Sequence, residues 1–237
     1  MKELGILGGM GPLATATFFT RVVNNTKAST DQDHIKTIII SDTDIPDRTT
    51  IIMEQLDPNL LLNVVKEDLK TFENEGVKRI AVPCNTFHYF YDEVQALTEI
   101  KIINMIDETI KYINSKGVQT IAVLGTRGTI QSGVFEKYAE RYGINTINLN
   151  DDVMDMLMEM IYETKSTGRT SYPDFLELIE NLRDNGAQMI VVACTELSLI
   201  EGLSQYEDVI VDSMDVLVRE SILQLGYELK NPDNLLP

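Results

Sequence analysis

The sequence predicts an α/β fold made of two similar domains. Each is expected to hold a four-stranded, mostly parallel sheet, and a pseudo-twofold axis is expected to relate them, with the active site in the cleft between them. Three observations predict this. Apolar strand-like runs alternate with helical stretches along the whole chain, which is the pattern of parallel sheets joined by right-handed crossovers. The alternation occurs twice with a period of roughly 110 residues, which marks a duplicated domain rather than a solenoid. Matched landmarks also recur: Gly8 with Gly125, Gly76 to Cys84 with Gly186 to Cys194, and Ile102-Ile103-Asn104 with Ile210-Val211-Asp212. The expected domains are residues 1–104 with 212–237, and residues 105–211.

In the first series, Glu3 to Gly8 reads as a strand and Gly8-Gly9-Met10-Gly11-Pro12 as the loop into a helix from Leu13 to about Lys27. Pro12 suits the first helical position. The stretch Gly9 to Ala14 fits the spacing G-x-G-x-x-A, but a dinucleotide site wants an acid about 20 positions on, and Asp42 comes too late. The preferred reading is a tight turn whose N–H groups open to a small anion. Ile35 to Ser41 is the second strand, followed by a long polar loop, Ser41 to Thr49, where ligands sit in open α/β sheets. Arg48 stands out in that acidic loop, and two roles are open to it: pairing with Asp44 or Asp47, or clamping a substrate carboxylate through two parallel N–H bonds. Asp57-Pro58 opens a helix with a stripe at Leu60, Leu61, Val64, Val65, Leu69 and Phe72, closed by Gly76. Lys78 to Pro83 is the strand that delivers Cys84, a helix begins near Thr86, and Lys101 to Asn104 is a short strand.

The second series runs in parallel. Met105 to Lys116 is a helix, Thr120 to Leu124 a strand ending in Gly125-Thr126-Arg127-Gly128, and a helix reaches Tyr142. The strand Ile144 to Asn148 leads to a Met-rich helix, Asp152 to about Thr164, which ends at Lys165. Its methionines read as core packing. The helix Pro173 to Asn185 and the strand Gln188 to Ala193 deliver Cys194; the strand Asp208 to Val211 and a helix from Ser213 to Leu225 follow. Residues Asn231 to Pro237 read as frayed surface.

A net charge of −17 argues against nucleic acid and anionic membrane surfaces as partners. An anionic ligand would therefore need positive charge or backbone N–H groups supplied locally. No apolar run approaches membrane-spanning length, and Met1-Lys2-Glu3 leads straight into Leu4-Gly5-Ile6, leaving no room for a signal sequence, so a cytoplasmic location is expected. Thiols there are expected to be free rather than paired.

The two cysteines of the chain, Cys84 and Cys194, fall at equivalent points of the repeat. A thiol just after a strand and at a helix start should have its pKa lowered. A lone cysteine at a strand end is ordinarily a small buried hydrophobe, but a matched pair facing one ligand has a further use. One thiolate and one thiol on opposite sides of a carbon can remove a proton from one face and deliver one to the other, inverting a stereocentre with no cofactor. A metal would need more ligands than His34 and His88 provide.

Gly8-Gly9-Met10-Gly11-Pro12, Pro46-Asp47-Arg48-Thr49, Pro83-Cys84-Asn85-Thr86-Phe87-His88 and Ala193-Cys194-Thr195-Glu196 resemble the aspartate/glutamate racemase family, in its aspartate racemase branch. The resemblance covers essentially the whole chain. It implies a racemase independent of pyridoxal phosphate, with two α/β domains, acting on an acidic amino acid as a homodimer. It also implies roles: Cys84 and Cys194 as the two acid/base residues, and Asn85, Thr86 and Thr195 as the cradle of the α-carboxylate. Arg48 and Lys165 match the family's substrate-binding cations, Met10 and Thr126 line the cleft through their backbones, and Glu196 orients the amino group, tunes Cys194 or merely caps a helix. His88 is either a helper or a packing residue, and Phe87 departs from the small residue common at its position. With both cysteines kept, two-way racemisation of aspartate, or also glutamate, is implied. The alternatives are a hydantoin or broad-specificity racemase, a decarboxylase of the same superfold, and a small-anion binding protein whose thiols only pack.

Overall fold

The computed structural model describes residues 3–232, so the expectation for the tail falls, from residue 233 on, outside the described residues. The chain divides into two compact units: residues 3–108 with 214–232, and Thr109–Ser213. No helix among the described residues is long and apolar enough to cross a membrane.

The first unit contains β1 (Leu4–Gly8), α1 (Pro12–Asn25), β2 (Thr37–Ser41), α2 (Arg48–Met53), α3 (Asn59–Asn74), β3 (Arg79–Ala81), α4 (Tyr91–Gln95), β4 (Lys101–Ile102) and the start of α5 (Met105–Ser115). The second continues with β5 (Thr120–Gly125), α6 (Arg127–Gln131), α7 (Val134–Ala139), β6 (Asn145–Ile147), α8 (Asp151–Thr167), α9 (Pro173–Asp184), β7 (Met189–Ala193) and β8 (Ile210–Asp212). α10 (Ser213–Leu223) returns the chain to the first unit. Each unit holds a four-stranded parallel sheet, in the orders β2-β1-β3-β4 and β6-β5-β7-β8. Identical strand order in the two units is the structural form of the repeat read from the sequence.

Strands covered on both faces read as continuous apolar runs, and β1 and β7 are buried at every position. In the first unit, Leu61, Val65, Leu69 and Phe72 of α3 pack with Leu7, Ile80 and Val82, in a cluster that includes Cys84. On the other side, Phe18 and Val22 of α1 and Leu217, Val218 and Ile222 of α10 pack with Leu4, Ile6 and Ala81. In the second unit, Leu157 and Ile161 of α8 and Phe175 and Ile179 of α9 pack with Ala122, Leu124, Ile190 and Val192, in a cluster that includes Cys194. Each fully buried side chain of this size contributes roughly 1.5–3 kcal/mol, so the strand that delivers each cysteine is held by the core.

The glycine eight residues before each cysteine closes a helix in the same way in both units. Gly76 and Gly186 are left-handed, at φ 68° and 93°. The next amides, Val77 and Ala187, donate back to Phe72 and Leu182 at 3.1 and 2.9 Å, which satisfies carbonyls the helix would otherwise leave open. Two expectations need correction. The polar loop after β2 contains the short helix α2, started by the Asp47 side chain, which accepts from the Thr50 amide. The single helix expected after Gly128 is broken into α6 and α7 at Gly133, which is left-handed at φ 66°.

Candidate active site

The cysteine and the glycine turn of each unit lie just beyond the C-terminal ends of its two central strands. In the second unit Gly125 and Ala193 are in register, so Thr126 and Cys194 leave the sheet side by side. In the first unit Ile6 and Ala81 are in register, and Gly9 and Cys84 stand three residues beyond.

The loop after β1 is tied by Thr15, a residue the sequence reading passed over. Its Oγ1 accepts from the Gly9 N–H at 2.9 Å and donates to the Gly11 carbonyl at 3.0 Å. The Gly9 N–H is therefore not among those open to an anion, which corrects that expectation for Gly9. The signal for it was the four-residue spacing from Gly11 to Thr15, at which a helical threonine reaches back to a carbonyl. Gly9 itself has φ 90°, and a Cβ there would lie 2.1 Å from the Asp42 carbonyl oxygen; only glycine fits.

Arg48 begins α2, and neither of the acids proposed for it is its partner. Its Nη1 donates to the Pro46 carbonyl at 3.0 Å and lies 3.4 Å from that of Ile45, and its Nη2 donates to the Met10 carbonyl at 3.1 Å. Asp47 is engaged with Thr50. Arg48 Nε is buried without a hydrogen-bond partner. The guanidinium is thus held in place by neutral carbonyls rather than by a carboxylate, beside Met10.

Cys84 is 9 % exposed. Its N–H donates to the Val82 carbonyl at 2.8 Å. The helical stretch expected near Thr86 starts as a five-residue 3₁₀ turn, Thr86–Phe90, that runs into α4. Asn85 is 4 % exposed, and its Oδ1 is buried with no hydrogen-bond partner. Thr86 is buried next to it. His88 is also buried, and burial lowers its pKa.

The second unit gathers Cys194, Thr195, Glu196 and Lys165. The Cys194 thiol donates to Glu196 Oε2 at 3.0 Å, and the Thr195 hydroxyl donates to the same oxygen at 3.1 Å. Lys165 Nζ lies 3.9 Å from Glu196 Oε1 and 5.8 Å from the Tyr162 ring centroid. Lys165 sits in the last turn of α8. The Glu196 side chain caps nothing; a three-residue 3₁₀ turn, Leu197–Leu199, follows it. Burial, and next the Glu196 carboxylate, push the Cys194 thiol well above its ordinary pKa, while Lys165 pulls it back. The expected lowering by a helix start is therefore overturned for Cys194. Turns of three to five residues have too few aligned peptides to oppose desolvation and an adjacent carboxylate. Thr126 caps α6, its hydroxyl accepting from the Thr129 amide at 3.1 Å.

The residues named from the sequence thus form two clusters, one in each unit: Met10, Arg48, Cys84, Asn85 and Thr86, and Thr126, Lys165, Cys194, Thr195 and Glu196. A model of the Asp/Glu/hydantoin racemase family matches residues 7–221. The chain belongs to this family. A relative from Bacillus subtilis described as the broad specificity amino-acid racemase RacX is 30 % identical over 233 residues, which is 95 % of this chain and 99 % of that protein. The structure of an aspartate racemase from Picrophilus torridus aligns with a TM-score of 0.83 and 29 % identity, over 97 % of this chain and 96 % of that one. A glutamate racemase structure from Campylobacter jejuni shares the fold at a TM-score of 0.58 and 22 % identity, over 97 % and 88 % of the two chains. Within the Asp/Glu/hydantoin family, the reaction class supported by these relatives is amino-acid racemisation.

Proposed function

We propose that this racemase interconverts L- and D-aspartate, with glutamate a second substrate, without pyridoxal phosphate, by two-base proton transfer between Cys84 and Cys194. The observation that carries the reading is the hydrogen bond from the Cys194 thiol to Glu196. A thiol held by a buried carboxylate rests protonated and is ready to serve as the acid. For one enantiomer, the Cys84 thiolate takes the Cα proton while Cys194 delivers its own to the opposite face. For the other enantiomer the roles reverse: in the form the first step leaves, with Cys84 as thiol and Cys194 as thiolate, Cys194 takes the Cα proton and Cys84 delivers its own to the opposite face. The mechanism requires the two thiols to address opposite faces of one Cα.

Recognition rests on the same residues. Arg48, held by carbonyls rather than by an acid, attracts the side-chain carboxylate, and Lys165 assists it. The Asn85 Oδ1 accepts from the substrate ammonium group, and Thr86 and Thr195 flank the α-carboxylate. Cytoplasmic location and a homodimeric state complete the proposal; fractionation and sedimentation test them.

Broad specificity is the second reading. It is supported by the Bacillus subtilis relative and by Lys165, whose charge already faces Glu196. The test is solvent exchange: protein incubated in D₂O with L-aspartate and no added cofactor, following both the Cα–H signal and the optical rotation, with a panel of other amino acids and hydantoins alongside. Loss of both signals for aspartate, abolished by Cys84→Ser and by Cys194→Ser, is the expected result. Equal rates across basic and acidic substrates favour the broad reading. A Cys84→Ser enzyme that racemises at the unmodified rate sinks the two-thiol mechanism. Inert thiols and no exchange with any substrate favour the anion-binding protein.

A further inference from the structure

His88 lies four residues after Cys84 and was left between two roles by the sequence. The structure supplies its bonds. His88 Nε2 is 3.1 Å from the Met105 amide, which can only donate, so Nε2 is the unprotonated nitrogen. The proton therefore sits on Nδ1, which donates to the Cys84 carbonyl at 2.9 Å. The Ile103 carbonyl, 3.5 Å from Nε2, receives no proton from a nitrogen that is itself accepting. The ring stacks on Tyr91, with centroids 6.3 Å apart and planes at 8°.

These bonds bear on the thiol. The Cys84 N–H is bound to Val82 and its carbonyl to His88, so the peptide planes on both sides of Cys84 are pinned. With both planes fixed, the direction of the Cα–Cβ bond is fixed too, and only χ1 is left to the sulfur. At its other end the ring satisfies Met105, the first residue of α5, whose N–H is among those a helix leaves unpaired. Met105 is fully buried.

The second unit provides an internal comparison. Ser198 stands four residues after Cys194, as His88 does after Cys84. Its hydroxyl reaches the Cys194 carbonyl at 3.4 Å, and the Leu197 amide reaches it at 3.1 Å. The carbonyl after the thiol is held in both units, but by different means. The Cys194 sulfur is also held directly, by Glu196. The hydrogen bonds found at Cys84 act on its backbone, and His88 supplies one of the two.

We propose that His88, as the neutral Nδ1–H tautomer, is a positioning residue that fixes the Cys84 backbone to the start of α5 and so aims the Cys84 thiol. The proposal rests on the two-thiol reading of the reaction. Its first test does not depend on activity. The chain has two histidines, His34 and His88, so ¹⁵N-histidine labelling of the full chain gives two assignable rings, with His34→Gln identifying the other. At pH 7.5 the His88 ring is expected as Nδ1–H with an unprotonated Nε2. An Nε2–H tautomer or an imidazolium overturns the clamp.

The second test separates its two ends. His88→Asn places an amide N–H near Nδ1, keeping the donor to Cys84, and lacks the reach to Met105. His88→Gln places its amide near Nε2, keeping the acceptor for Met105, and loses the donor. We expect His88→Gln to lower kcat at least tenfold with the aspartate KM within about twofold, and His88→Asn to recover kcat to within about threefold of the unmodified protein. A packing role alone would lower thermal stability in both variants and leave kcat of the folded protein unchanged; that result overturns the proposal. A Cys84→Ser protein that racemises normally while keeping the Nδ1–H tautomer overturns the two-thiol reading, and with it the purpose assigned to the clamp.

Discussion

Glu196→Gln is the most informative single change. The amide keeps the shape and one oxygen acceptor of the carboxylate but removes its charge. In the structure that charge receives a hydrogen bond from Cys194 at 3.0 Å and another from Thr195 at 3.1 Å. A hydrogen bond to a charged partner contributes about 1.5–3 kcal/mol, and at 1.4 kcal/mol per factor of ten this is roughly a 10- to 100-fold change in how easily the thiol ionises. The direction follows from the cause: the carboxylate holds Cys194 protonated, so its neutralisation favours the thiolate. Alkylation of Cys194 by iodoacetamide at neutral pH, read by mass spectrometry of the peptide, should speed up by that factor. Racemisation should move the other way at alkaline pH. The half-reaction that uses Cys194 as acid needs the thiol, so the alkaline limb of the kcat profile should start at lower pH in Glu196→Gln. Because the equilibrium constant between enantiomers is one, kcat/KM must change equally in both directions; the asymmetry shows in kcat and KM taken separately. Faster alkylation without any movement of the alkaline limb would refute the assignment of Cys194 as the resting acid. No change in either would refute the coupling of Glu196 to the thiol.

Three further outcomes are expected. Arg48→Ala should raise the aspartate KM at least tenfold while leaving that for alanine within about threefold, since the guanidinium recognises a side-chain carboxylate; equal effects on both would assign Arg48 to the loop alone. Asp68, on α3, has its pKa raised from 3.8 to about 6, by burial first and by the neighbouring Asp42 carboxylate next. Its folded-state pKa lies above the unfolded one, so stability falls as pH rises from about 4 to 6. The gap sets an upper limit of about 3 kcal/mol, which solvent screening of this half-exposed group reduces to on the order of 1 kcal/mol. Asp68→Asn should therefore raise Tm by roughly 2–4 °C at pH 8 and leave it unchanged at pH 3.5; an equal gain at both would refute the electrostatic origin. Gly9→Ala places a Cβ 2.1 Å from a backbone oxygen at positive φ and should cost at least about 2 kcal/mol, measured by urea titration; a stability loss below about 0.5 kcal/mol would show that the loop relaxes freely.

What the sequence determined was whatever local chemistry dictates. Buried parallel strands must be apolar throughout, so β1 and β7 were legible as runs. Helices that end before such strands need a left-handed residue, so Gly76 and Gly186 marked their positions, and eight residues on stood the two cysteines. The repeat, the order of elements and the place of the two cysteines followed from that; Met10, Thr126 and Lys165 were named only through the family resemblance. α2 was not legible because six residues are fewer than two helical turns and Arg48-Thr49-Thr50 shows no apolar period. The break at Gly133 was hidden because the apolar pattern continues across it.

Only the tertiary structure decided the electrostatics. Sequence places Glu196 two residues after Cys194, but not on which side of the sulfur its carboxylate falls. That depends on a 3₁₀ turn too short to signal itself and on burial under α8 and α9, which together reverse the direction of the thiol's pKa. The same holds for Arg48, whose acidic neighbours in sequence are not its partners, and for His88, whose tautomer is set by an amide seventeen residues away. Partners in sequence are inferred from spacing, whereas a proton's position is decided by the geometry of groups the chain brings together from far apart, in a medium where water no longer screens them.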